Sequence, residues 1–109
     1  MADENPSIAD LNDALRTQFE WGQIVATRSV SELRDETKNQ IMQAIQTFSE
    51  FTPDNDPYGE HDFWSVVING EKFFWKIDYY NKDMTMGSEN PANPDITQRV
   101  MTIMQASEY

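Results

Sequence analysis

Asn69-Gly70 constrains this chain more than any other pair of residues. A two-residue hairpin turn needs positive φ at both central positions, and Asn and Gly tolerate that best. Strand-like runs flank the pair. Phe63-Trp64-Ser65-Val66-Val67-Ile68 enters the turn, and Lys72 to Tyr80 (KFFWKIDYY) leaves it. Alternation along the second run predicts Phe73, Trp75, Ile77 and Tyr79 on a buried face. Phe74, Lys76, Asp78 and Tyr80 fall on the other, joined by either Phe63 or Trp64. That second face is unusually aromatic. It reads either as a protein-binding surface or as further core under a covering helix.

Ahead of the hairpin, Pro57 and Gly59 punctuate a loop carrying Asp54, Asp56, Glu60, His61 and Asp62. PYGEHDFW and WKIDYYN, with the tail of the chain, resemble an uncharacterised bacterial domain family. Its members read GEHDFG, a hairpin, KIDYYD and a closing T-x-RV-x-TI-M-x-A-x-EY. Thr97, Arg99, Val100, Thr102, Ile103, Met104, Ala106, Glu108 and Tyr109 stand at the matching tail positions. Trp64 replaces the usual Gly, Asn81 the usual Asp, and Gln105 an apolar residue. The resemblance implies a fold neighbourhood and carries no reaction with it.

The remaining elements are read from periodicity. Ser7 and Asp10 form a capping-box pattern opening a helix over Asn5 to Glu20, with Ile8, Leu11, Leu15 and Phe19 as its stripe. Asp10, Asp13 and Arg16 fall opposite, and Gly22 ends the helix. Gln23 to Thr27 reads as a short strand. Ser29 and Glu32 suggest a second capping box for a helix from about Ser31 to Phe51, with an acidic first turn suited to the helix dipole. Asn81 to Asn93 is a long aperiodic loop, and long loops often bind. Ile96, Val100, Ile103 and Met104 then suggest a last helix starting near Asn93-Pro94. The expected order is α-β-α-β-β-α: an α+β domain with a three-stranded, mainly antiparallel sheet and helices on one face.

With 109 residues the chain is expected to form a single domain, 1–109. It has no cysteine, which removes disulfides, thiolate metal sites and Cys nucleophiles and suits a cytoplasmic protein. The acidic start Met1-Ala2-Asp3-Glu4 lacks the positive region of a signal peptide. Nineteen acids against eight bases give a formal charge of −11. A field of that sign repels nucleic acid and anionic membrane and favours basic partners, or serves solubility alone.

Two functions follow as expectations. In the first, the chain is a non-enzymatic acidic binding module for a basic, nucleic-acid-handling host protein. It would occupy the partner's nucleic-acid groove in the manner of phage- or plasmid-borne inhibitors such as anti-CRISPR proteins. Its contacts would be Asp54, Asp56, Tyr58, Glu60, Asp62, Trp64, Asp78, Tyr80 and Asp83, with no cofactor and no metal. In the second, His61 with Glu60 and Asp78 serves a small hydrolase or metal-dependent enzyme. The sequence has no second histidine, nucleophile elbow, phosphate-cradling Gly loop or H-E-x-x-H spacing. Convergence of the acids around one cleft would favour the enzyme, and spread along a surface the binding module.

Overall fold

A computed structural model describes residues 6–109. The acidic start and Asn5, the expected first residue of the opening helix, lie outside the described residues. The elements are α1 (Ile8–Gln18), β1 (Gly22–Ala26), α2 (Arg28–Ser31), α3 (Asp35–Thr47), β2 (Phe63–Ile68), β3 (Glu71–Tyr80) and β4 (Gln98–Gln105), closed by a 3-10 turn at Ala106–Glu108. The fold is mixed α+β. Its sheet has four strands rather than three, in the order β1-β4-β3-β2.

The fourth strand is the main departure. The helical spacing of Ile96, Val100, Ile103 and Met104 predicts a helix from near Asn93-Pro94 through Gln98–Gln105. Instead the segment is a strand between β1 and β3, parallel to one and antiparallel to the other. It is buried on both faces: Val100, Met101, Ile103 and Met104 are all nearly inaccessible. A strand buried on both sides reads as an apolar run without alternation, which obscures its period.

The hairpin forms as expected. Asn69 and Gly70 both have positive φ, 54° and 80°. Phe63 to Ile68 pair antiparallel with Lys76 to Glu71. One face of the sheet contributes Val66, Phe73, Trp75, Ile77, Met101 and Ile103 to the core, where Leu15, Val30, Ile41 and Ile45 of the helices meet them.

The helices are shorter than their periodicity suggested. Ser7 does cap α1, accepting from the Asp10 N–H while the Asp10 carboxylate takes the Ser7 N–H. The helix ends at Phe19 in the left-handed region, before Gly22. Leu11 and Leu15 are buried as the stripe predicts, but Phe19 is exposed and Arg16, expected on the opposite face, is buried. The second helix divides into α2 and α3. The Ser29–Glu32 box does not form: α2 begins after Thr27, and the Glu32 carboxylate pairs with Arg28 at 3.0 Å. Asp35 and Glu36 remain in the first turn of α3, where a helix dipole favours acids.

Candidate functional site

The loop Thr52–Asp62 is fastened to α1 through its one histidine. His61 stands at φ 56°, unusual for a side chain with a Cβ. The Asp56 carboxylate accepts the His61 N–H, at 3.2 and 3.3 Å. The imidazole lies flat on the Phe51 ring, with centroids 3.9 Å apart and planes within 3°. Its Nδ1 is 3.0 Å from both carboxylate oxygens of Asp13, and Nε2 is 3.6 Å from Asp56. Asp13 in turn pairs with Arg16 at 2.9 Å. Arg16 also donates to the Ile45 and Phe48 carbonyls and sits over the rings of Phe51 and Trp75.

A second polar chain lies on the same side of the sheet. The Asn12 amide donates to the Tyr79 hydroxyl (2.8 Å) and the Glu60 carbonyl (3.0 Å). The Tyr79 hydroxyl donates to the Glu60 carboxylate at 2.9 Å. Arg99, fully buried on β4, donates from Nε to the Asn12 side-chain oxygen at 2.8 Å and from Nη2 to the Pro91 carbonyl. Its guanidinium lies over the Tyr79 ring. Burial lowers the Arg99 pKa, with Tyr79 and Glu60 opposing the change. Burial likewise pushes the Tyr79 phenol well above its ordinary value.

This geometry is poorly suited to general-base catalysis. A catalytic imidazole oriented by one carboxylate needs its other nitrogen open to a substrate proton. Here both ring nitrogens face carboxylates of the chain itself. Glu60 is engaged by Tyr79, and Asp78 pairs with Lys76 at 3.0 Å on the opposite face of the sheet. The three residues His61, Glu60 and Asp78 thus do not converge. Among the described residues no group of three His, Cys, Asp or Glu side chains is placed to hold a metal ion.

The expected partner-binding residues separate into two sets. Asp56 is buried and bonded to the His61 N–H, and Trp64 is half-buried, packed against the core on the face opposite Phe63. Glu60 is half-buried, with its carboxylate held by Tyr79. Asp54, Tyr58 and Asp83 are exposed, Tyr58 at 88%. Asp62, Asp78 and Tyr80 line an open groove of about 490 Å³ on the outward face of β3, together with Phe63, Lys76 and Tyr109. Beside it Phe63, Phe74 and Tyr109 form an aromatic cluster with centroids 5.1–5.2 Å apart. Phe63, not Trp64, is the β2 residue on this face. Partial burial pushes the Asp62 carboxyl above its ordinary range, and the Glu60, Asp56 and Asp78 carboxylates add to that shift.

Comparison with known families matches residues 26–108 to a protein of unknown function family, DUF3768. The chain belongs to DUF3768. The match takes in β1's last residue, α2, α3, the loop with His61, the hairpin and β4. Helix α1, which supplies Asn12, Asp13 and Arg16, lies ahead of the residues matched to DUF3768. No curated protein and no solved structure matches the chain.

Sequence reasoning did not find Asn12 and Asp13 as partners of the loop, nor Arg99 and Arg16 as the buried groups bonded to them. Asn12 and Arg16 did leave a trace. They are four apart and directly follow Leu11 and Leu15, so they border the apolar stripe of α1. Asp13 lies 48 residues from His61, and no local pattern links them.

Proposed function

We propose that this DUF3768 chain is a non-catalytic acidic module that binds a basic, nucleic-acid-handling protein through the outward face of β3. The observation that carries the reading is a division of labour among the polar residues. His61, Asp56 and Glu60 are committed to bonds within the chain, whereas Asp62 and Tyr80, with the Lys76–Asp78 ion pair, line an open groove beside an aromatic cluster. Aromatic residues supply the buried anchor of a typical interface, and surrounding charges set orientation and encounter rate. With a formal charge of −11, the whole surface attracts a basic partner and repels nucleic acid. Asp54 and Asp83 extend the negative field along the exposed loops. An inhibitor of this type occupies a groove that otherwise takes a phosphate backbone, so the anti-CRISPR manner of action belongs to the same proposal.

The test is affinity capture from the native host, followed by binding to the purified partner between about 50 and about 300 mM salt. Wild type is compared with the triple variant Asp54→Asn/Asp62→Asn/Asp83→Asn and with Tyr80→Ala. The expected result is affinity that falls with salt, a shallower slope in the triple variant, weaker binding for Tyr80→Ala, and displacement by the partner's own nucleic acid. Salt-independent binding that nucleic acid does not displace overturns the proposal. So does a hydrolytic activity that His61→Gln abolishes.

A further inference from the structure

The strand order leaves one long side of β2 without a neighbour. Pairing fixes which residues face that side. The Ile77 N–H donates to the Asp62 carbonyl at 2.8 Å, and the ladder continues from Phe63 opposite Lys76 to Ile68 opposite Glu71. Hydrogen-bonded and non-bonded pairs alternate along an antiparallel ladder. Trp64, Val66 and Ile68 therefore bond to β3, while Phe63, Ser65 and Val67 direct their N–H and C=O groups outward. Among the described residues no loop or turn backbone bonds to those outward groups.

Proteins commonly blunt such an edge with Lys, Pro, a bulge or an inward charge. Phe63–Ile68 has none of these, and Val67 is 61% exposed. A groove of about 340 Å³ runs beside the edge, between β2 and the end of α3. Ala44, Thr47, Phe48, Ser65 and Val67 line it, and Glu50 is its charged group. Glu50 is exposed and takes part in none of the ion pairs among the described residues. The last turn of α3 contains no basic residue to offset the negative end of its dipole.

We infer that the β2 edge is a strand-addition site for an extended, basic segment of a partner protein. Main-chain bonds to Phe63, Ser65 and Val67 supply the register, as in other cases of strand addition. Alternate side chains of the added segment fall into the groove, where a Lys or Arg meets Glu50 and the carbonyl end of α3. Charge selects this occupant over a second copy of the chain, which would bring another −11 to the same edge. The inference deepens the proposed function and rests on it for the sign of the partner's charge.

The experiment uses synthetic peptides and amide exchange followed by NMR. The probes are an alternating Lys-Val hexapeptide, its Glu-Val counterpart, and the Lys-Val peptide N-methylated at every second residue. The Lys-Val peptide is expected to slow exchange of the Phe63, Ser65 and Val67 amides by about tenfold or more. The N-methylated and Glu-Val peptides should leave them unchanged. Val67→Pro removes an outward donor without touching the ladder to β3, and should abolish the protection. Tyr80→Ala, on the outward face of β3, should not. Unaltered exchange with the Lys-Val peptide overturns the edge site, as does equal protection by the Glu-Val peptide. Protection that rises with concentration of the protein alone shows a second copy there and also overturns it. If the edge amides stay unprotected while captured partner binding remains sensitive to Tyr80→Ala, the edge site fails and the proposed function stands.

Discussion

The imidazole of His61 does its work as a rivet between loop and helix. It is stacked on Phe51, touches Asp13 at one nitrogen and faces Asp56 at the other. His61→Gln should lower stability by about 1 kcal/mol, the ordinary worth of a partly exposed polar contact, and leave partner binding near wild type. A double-mutant cycle with Asp13→Asn should return a coupling of about 0.5–1 kcal/mol, read from denaturant midpoints. Additive effects would mean the Asp13 contact contributes nothing. Asn12 should matter more, being fully buried and satisfying Arg99. Asn12→Ala orphans a buried guanidinium donor and is expected to cost about 1–3 kcal/mol in chemical denaturation. Residues of this kind were the least legible in the sequence. His61 advertised itself by its motif, but its partner Asp13 and the buried pair Asn12–Arg99 are joined only by the fold.

Among the elements, two glycines separate conformational from steric causes. A Cβ on Gly70 would meet no atom within 4 Å, yet its φ is +80°. Gly70→Val should therefore destabilise by roughly 1–3 kcal/mol through backbone strain alone. Gly22 has the opposite problem. A Cβ there would lie 2.5 Å from the Arg99 carbonyl oxygen and 2.8 Å from its Cβ, so β1 and β4 could not keep their pairing. Gly22→Ala should cost about 1–3 kcal/mol by overpacking, and thermal melting of both variants checks the pair. Unchanged melting of either would mean the local geometry differs from that described. The hairpin was legible because turn chemistry and alternation agree at Asn69-Gly70. Strand β4 was not, because Val100, Met101, Ile103 and Met104 are buried on both faces and their spacing also fits a helix. The β-branched residues Val100, Thr102 and Ile103 were the available clue. Gly22, likewise, reads in the sequence as a helix stop, whereas the fold uses it for close approach to Arg99.

At the scale of the whole molecule, net charge and one half-buried phenol shape the response to solvent. Self-repulsion among nineteen acids should ease as salt rises, so the melting temperature should climb between about 20 and about 500 mM NaCl. A flat or falling curve would show that charge is no burden on the fold. Tyr79 contributes on the alkaline side. Its folded pKa is raised above the unfolded value, so the stability it contributes is fully present below about 10 and lost as pH rises through the folded pKa. Tyr79→Phe should flatten the fall in denaturant midpoint above about pH 10. An unaltered alkaline limb would assign it to other groups.

The sheet order carries a consequence for how the chain assembles. The strand that stands between β1 and β3 is the last of the four in sequence, and its pairing with β1 joins Gly22 to Arg99 and Ala26 to Ile103. Such distant partners give a high contact order, and loop closure must precede any gain from pairing. During synthesis α1, α3 and the hairpin emerge before β4 does, with Trp75, Phe73 and Ile77 unable to complete their core. The outer edge of β3 is meanwhile free to meet other chains. Refolding should accordingly be slow for a domain of this size, and a nascent chain arrested before Gln98 should need a chaperone's shelter.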